Sequence, residues 1–232
     1  MKVITTVHKD GFDEYGHRWV EGLKNWPKAE FVMYAEGFDP DGISSKRVES
    51  LKGLEAFKAQ YAHYKPLNWR FDVVRFSNKV FAAYDAFYDY KGVGVWCDAD
   101  VVTHKLLPPG YVQGLLPEGH YLALFKRAGH YPETGFWVMD CSHPMHQAFL
   151  DTWVAWFETG AFKELNEWHD CTTLDATIRR FEKQGMKTHS LSGEFERDMH
   201  PMARVELAKY LDHCKGPRKA AGFSPENTFR TA

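Results

Sequence analysis

Two clusters of residue types could do chemistry together in this chain. The first, Trp96-Cys97-Asp98-Ala99-Asp100, closes an apolar run from Gly92 to Cys97 that reads as a buried strand. A carboxylate buried without a partner is costly, and residues two apart at a strand end can reach one point, so Asp98 and Asp100 suit a divalent cation. The second cluster is His213-Cys214-Lys215-Gly216-Pro217-Arg218-Lys219. His213 is a candidate third ligand, and an imidazole beside carboxylates suits Mn²⁺ better than an all-oxygen cage does. Lys215, Arg218 and Lys219 can offset the charge of a diphosphate, and Gly216 lets the backbone approach it. Each cluster also has an ordinary explanation, namely a pair of solvated turn aspartates and a solvated loop of cations.

Further candidates lie between the two clusters. Arg75 and Lys79 are four apart on a predicted helix, so they share a face that can meet phosphates or a nucleobase carbonyl. Glu133-Thr134-Gly135-Phe136 sets an acid and a hydroxyl at a corner before a strand. Trp168-His169-Asp170 precedes a helix. Asp170 could cap that helix, as Thr172 could, or face a reacting carbon. Glu133 and Asp170 are therefore the candidate catalytic carboxylates. The chain has no phosphate-binding G-x-x-x-x-G-K-[ST] loop, no H-E-x-x-H, no G-x-S-x-G and no dinucleotide fingerprint after the first strand.

The elements that must position these groups alternate. Strands are predicted at Val3–Val7, Phe31–Ala35, Gly92–Cys97, Tyr121–Phe125, Phe136–Met139 and Met186–His189. Helices are predicted over Glu14–Lys24, around Leu51–Tyr61, and over Val73–Tyr88, Met145–Phe157 and Thr173–Lys183. Met202–Asp212 reads as a helix or as an edge strand. Gly222–Ala232, polar and broken by glycine and proline, reads as a loosely held tail. Helix followed by strand followed by carboxylates is the α/β order that places ligands beyond the carboxyl ends of strands.

Lys and Arg number 29 against 31 Asp and Glu, a net charge of −2, so nothing in the balance demands a nucleic-acid partner. Cys97, Cys141, Cys171 and Cys214 form no C-x-x-C pair, and the opening residues read as a strand, not a secretory leader. A cytoplasmic protein with reduced thiols, without a membrane span, is the expectation.

On these motifs the chain resembles metal-dependent nucleotide-sugar glycosyltransferases of the GT-A type, from Val3 to about Lys219. Retaining members carry an Asp-x-Asp motif and a late His-x-x-Gly-x-x-Lys motif, whose spacing His213, Gly216 and Lys219 match. The resemblance implies an α/β, GT-A-like single domain over residues 1–220, with a mostly parallel mixed sheet flanked by helices, then a tail over 221–232. It implies Mn²⁺ (or Mg²⁺) at Asp98, Asp100 and His213, and a UDP-sugar donor whose diphosphate meets Lys219. Arg75 and Lys79 match a basic helix that often precedes the metal-binding strand. Glu133 would frame the sugar and acceptor, and Asp170 would stand near the anomeric carbon. The acceptor is a hydroxyl on a glycan, a small molecule or a modified DNA base. Two departures stand out. Ala220 replaces the usual Trp or Phe after the late Lys, and the chain leaves little room for a separate acceptor domain. Retention and inversion stay open. So do two rivals, a metal-dependent nucleotidyltransferase or phosphohydrolase, and a non-catalytic nucleotide-sugar-binding domain.

Overall fold

The computed structural model describes residues 1–193 and 200–230. Its strands are β1 (Lys2–His8), β2 (Glu30–Glu36), β3 (Ser45–Arg47), β4 (Val93–Cys97), β5 (Val101–Thr103), β6 (Leu122–Arg127), β7 (His130–Asp140), β8 (Thr188–Ser190) and β9 (Leu211–His213). Seven of them form one sheet in the order β3-β2-β1-β4-β7-β6-β8. All neighbours are parallel except the two pairs that β7 makes. The inner strands are apolar on both faces, as strands covered on both sides must be. Val3 and Ile4 of β1, and Val95 and Trp96 of β4, are all fully buried.

Helices Val73–Phe87, His146–Glu158 and Asp170–Glu182 pack on one face, where Trp96, Trp137 and Trp153 anchor the core. The first helical run packs on the other face, around Trp19 and Trp26. It begins earlier than Glu14 and is interrupted by a π-helical turn over Phe12–Gly16. That turn re-aims Tyr15 toward the ends of β1 and β4.

β1 lies between β2 and β4, so the chain order reverses at β1 and opens a crevice beyond the carboxyl ends of β1 and β4. Cys97 closes β4, and Asp98 follows it into this crevice. The predicted carboxylates thus stand where the sheet topology makes room for a ligand.

A second, two-stranded sheet joins the two motifs. β5 pairs antiparallel with β9, with Val101 opposite His213. Met202–Asp212 is accordingly neither one helix nor one strand. It is a turn and a short 3₁₀ segment, Glu206–Lys209, leading into β9.

The segment after Lys219 is not a loose tail over its described residues. Asp212 Oδ2 accepts from the Ser224 amide at 2.7 Å and from Arg230 at 3.1 Å. Asn227 is fully buried and donates to the Ala208 carbonyl at 3.1 Å. Asp212, Asn227 and Arg230 thus satisfy the segment's own polar groups and the Ala208 carbonyl, which is why a polar segment can be buried here. Among the described residues no helix is long and apolar enough to cross a membrane.

Candidate functional site

Asp98, Asp100 and His213 meet at the mouth of the crevice, their ligand atoms all within 4.8 Å of one another. His213 Nε2 lies 3.0 Å from Asp100 Oδ1 and 3.9 Å from Asp98 Oδ2. Asp100 and His213 are buried, yet Asp100 Oδ1 and both His213 nitrogens have no hydrogen-bond partner of good geometry among the described residues. Buried polar atoms are normally satisfied, and orphan acceptors converging on one point fit a cation. Burial by itself would raise the Asp100 carboxyl, but His213 and Lys219, whose Nζ is 3.0 Å from Oδ2, outweigh it and hold Asp100 well below the usual carboxylate range. It is anionic at neutral pH.

Two other groups could be considered for a metal, and chemistry disfavours both. Glu133, His200 and His213 also converge, but they set one carboxylate against two imidazoles, a poorer match to oxygen-preferring Mg²⁺ or Mn²⁺ than the two carboxylates of Asp98 and Asp100. His169, Asp170 and Cys171 converge as well, but burial pushes the Cys171 thiol far up, so it is not a thiolate.

Lys79 ties the metal pair to the catalytic candidate. Its buried Nζ lies 2.9 Å from Asp98 Oδ1 and 2.8 Å from Asp170 Oδ2, and it donates to the Thr134 carbonyl at 3.2 Å. Burial opposes the charge on Lys79, but Asp170 and Asp98 more than restore it and raise its pKa. Asp98 also accepts from the Trp96 indole at 2.6 Å. Asp170 Oδ2 accepts from the Thr134 hydroxyl at 2.6 Å. Against the upward push of burial, Lys79 and His169 hold the Asp170 carboxyl below its ordinary value. Asp170 is the first residue of its helix and not the cap. His169 occupies the cap position, and the Thr172 hydroxyl accepts from the His169 amide at 3.3 Å. Asp170 is thereby released to the cleft.

Glu133-Thr134-Gly135 is not a corner. It lies inside β7, where the register against β6 shifts around Phe125. Such a bulge re-aims side chains, here bringing Glu133 against Lys215 and His213. Gly135 makes the room: a Cβ on it would stand 2.0 Å from His213 Cε1 and 2.6 Å from Nδ1. We expect Gly135→Ala to displace His213, at a stability cost of about 1–3 kcal/mol for overpacking. Isothermal titration should then show Mn²⁺ affinity reduced at least tenfold, and an unchanged affinity would refute the packing argument.

The cleft has two chambers that share Arg75, Phe76, Lys79, Asp98, Asp100 and Lys219. The smaller, about 140 Å³, lies at the ends of β1 and β2 and is lined by Thr6, His8, Tyr15, Glu36 and Asn78. The larger, about 1670 Å³, runs past Glu133, Asp170, Lys215 and Gly216. Arg75 is exposed and faces both, whereas Lys79 on the same helix face is buried against carboxylates. Gly216 turns in the left-handed region at φ 58°. Lys219 lies over the Tyr15 ring, 4.3 Å from its centroid. Arg218 is the predicted residue that the fold does not bring in. Its guanidinium pairs with Glu226, Nε lying 3.1 Å from Oε2, and it lines neither chamber. Consecutive residues at a helix start point different ways, so Arg218 and Lys219 part company.

Tyr15 and His200 were not predicted. Tyr15 sits in the π turn. The His200 ring lies 4.5 Å from that of His213, its Nε2 3.6 Å from Glu133. Nothing local in the sequence marks His200. Only its proximity in the fold does.

No protein-family model matches the chain. No curated protein matches it either. Solved structures do. The galactosyltransferase LgtC, in complex with donor and acceptor sugar analogs, aligns over 100% of this chain and 94% of its own at 11% identity and a TM-score of 0.57. A glycosyltransferase involved in glycosylation of the major capsid of PBCV-1 aligns over 100% of this chain and 98% of its own, at 12% identity and a TM-score of 0.53. The bifunctional glycosyltransferase WbbM aligns over 83% of this chain, at 10% identity and a TM-score of 0.54. The chain spans 38% of that protein's length. The α/β architecture, with its mixed, mostly parallel sheet between helices, is a GT-A-like fold.

Proposed function

We propose that the chain is a metal-dependent glycosyltransferase that moves a sugar from a nucleotide-diphosphate sugar, a UDP-sugar, to a hydroxyl acceptor. The observation that carries this reading is the β5–β9 pairing, which sets Asp98, Asp100 and His213 around one point at the carboxyl end of β4. These three residues would hold Mn²⁺ (or Mg²⁺). When bound, the ion supplies Lewis-acid neutralisation of the departing diphosphate.

The remaining work falls to the chain's own residues. The small chamber at the ends of β1 and β2 takes the nucleoside, with Arg75 at its rim. Lys219 and Lys215 bring positive charge to the diphosphate side, and Gly216 allows the backbone close approach. Asp170 faces the sugar. Two hydrogen-bonding groups, Lys79 and Thr134, fix Oδ2, while Oδ1 has, among the described residues, only the distant Cys171 thiol at 3.8 Å. Oδ1 is therefore the oxygen available to stabilise positive charge at the anomeric carbon.

A carboxylate held below its ordinary pKa is a poor proton acceptor at neutral pH, which applies to Asp170 and to Glu133 alike. Burial raises Glu133, but Lys215 and the two nearby histidines bring it far down. Both carboxylates are moreover engaged by ammonium groups, Asp170 by Lys79 and Glu133 by Lys215, an arrangement that favours retention of configuration without a protein base, with Glu133 anchoring Lys215. Turnover of UDP-sugars with Mn²⁺ and with EDTA tests the proposal. Mn²⁺-dependent sugar release or transfer is expected. Metal-independent behaviour, or pyrophosphate release from a nucleoside triphosphate instead, would overturn it.

A further inference from the structure

The outer part of the large chamber carries a tryptophan where no packing argument asks for one. Trp69 is 57% exposed and lines the cleft. Its exposure is not a matter of a loose loop. Arg70 lies 3.1 Å from Glu167, the Trp168 amide donates to the Arg70 carbonyl at 2.8 Å, and Asn68 accepts from the Arg70 amide at 2.9 Å. A large ring in the open at the mouth of a cleft, on a segment tied down by these bonds, is a surface for a ligand. Behind it stands His169, whose ring centroid is 5.6 Å from that of Trp69, with Phe76 and Tyr131 at 5.7 Å and 5.8 Å from the same imidazole. His169 is buried. Its Nε2 lies 2.7 Å from Glu167. The next residue in the chain is Asp170. Trp69, His169 and Asp170 line the same chamber.

The charges around this platform distinguish one class of ligand. Arg70 pairs with Glu167 at 3.1 Å, Lys126 with Glu182 at 2.9 Å and Arg179 with Asp175 at 2.8 Å. Arg127 donates instead to the Tyr131 carbonyl at 2.7 Å. Three of these four cations face carboxylates, which leaves little net field for a phosphate chain, the feature that nucleic-acid binding requires. The wall offers many hydrogen-bonding groups beside an apolar face, which suits an uncharged ring bearing hydroxyls.

We infer that the acceptor is a neutral saccharide that lays a C–H face of one ring on Trp69 and presents a hydroxyl toward Asp170. This rests on the glycosyltransferase reading and narrows its acceptor, setting aside a modified DNA base.

The test is binding of the full chain to an immobilised array carrying uncharged, sialylated, sulfated and phosphorylated glycans, with a hydroxymethylcytosine DNA duplex on the same surface. Signal on at least one uncharged glycan should exceed that on the anionic glycans and DNA by about tenfold or more. Trp69→Ala should reduce it at least tenfold, and Trp69→Phe should keep it within about threefold. Calorimetric affinity for UDP with Mn²⁺ should be unchanged in both variants, which shows that they are folded. Signal confined to anionic glycans or DNA, no signal at all, or an undiminished Trp69→Ala signal would overturn the inference. Failure of the wild-type chain to bind UDP with Mn²⁺ would overturn the donor reading alone, because the array still decides the saccharide surface.

Discussion

Asp100→Asn should lower kcat/KM for a UDP-sugar by about 10³-fold, equivalent to ~4 kcal/mol of transition-state stabilisation. The amide keeps the shape of the carboxylate but removes its charge. Asp100 is the most buried carboxylate of the triad, 6% exposed, so solvent does little to compensate for that charge. It also carries the closest approach to His213, at 3.0 Å, and to Lys219, also at 3.0 Å. The midpoint of Mn²⁺ activation should move at least tenfold higher in the same variant, because the cation loses an anionic ligand. Arg218→Gln is the matched control. Its guanidinium is engaged with Glu226 outside both chambers, so donor turnover should stay within about twofold of wild type. Steady-state kinetics over a Mn²⁺ series measures both variants. Wild-type activity in Asp100→Asn would remove the metal from the mechanism, and a large loss in Arg218→Gln would restore Arg218 to the phosphate site.

How much of this was legible follows from the range over which each signal acts. β1 and β4 announce themselves as short apolar runs, because strands buried on both faces carry no polar alternation. Asp98 and Asp100 stand out for the same reason: they end such a run. The helix Val73–Phe87 was plain from its periodicity, and the shared face of Arg75 and Lys79 followed from their spacing. Their different fates did not follow, because only the carboxylates of β4 and of the Asp170 helix decide that Lys79 is drawn inward. β5 and β9 are three residues each, too short for a periodic pattern, and their pairing joins distant parts of the chain. The spacing of His213, Gly216 and Lys219 was visible, yet what brings His213 to Asp100 was not. The same limit hid the burial of Ser224 and Asn227. Polar composition reads as solvated unless the groups that will satisfy it are known.

Lys79→Met should cost about 3–5 kcal/mol of folding stability, the range for breaking a buried ion pair by removing one partner. Lys79 Nζ lies against both Asp98 and Asp170, so methionine fills the volume but leaves two carboxylates without their shared cation. The Asp170 carboxylate is only 2% exposed, so water compensates little for the lost ammonium. The signs define the working window. Asp170 is depressed, so its contribution is present above the unfolded value of about 4 and fades as pH falls through its folded pKa. Lys79 is raised, so its contribution is complete below about 10.4 and fades only as pH rises through its folded pKa. Between these limits the wild-type network is fully charged, and the deficit of Lys79→Met should be near its maximum at pH 7. Adding Asp170→Asn to Lys79→Met removes one stranded charge, so the double variant should recover at least about 1 kcal/mol relative to Lys79→Met. Urea unfolding of the four species at pH 7 completes the cycle. Additive losses would show that Lys79 and Asp170 do not act as a pair. Recovery would show that the ammonium is retained because it lets two buried carboxylates stay ionised side by side, one for the cation and one for the sugar.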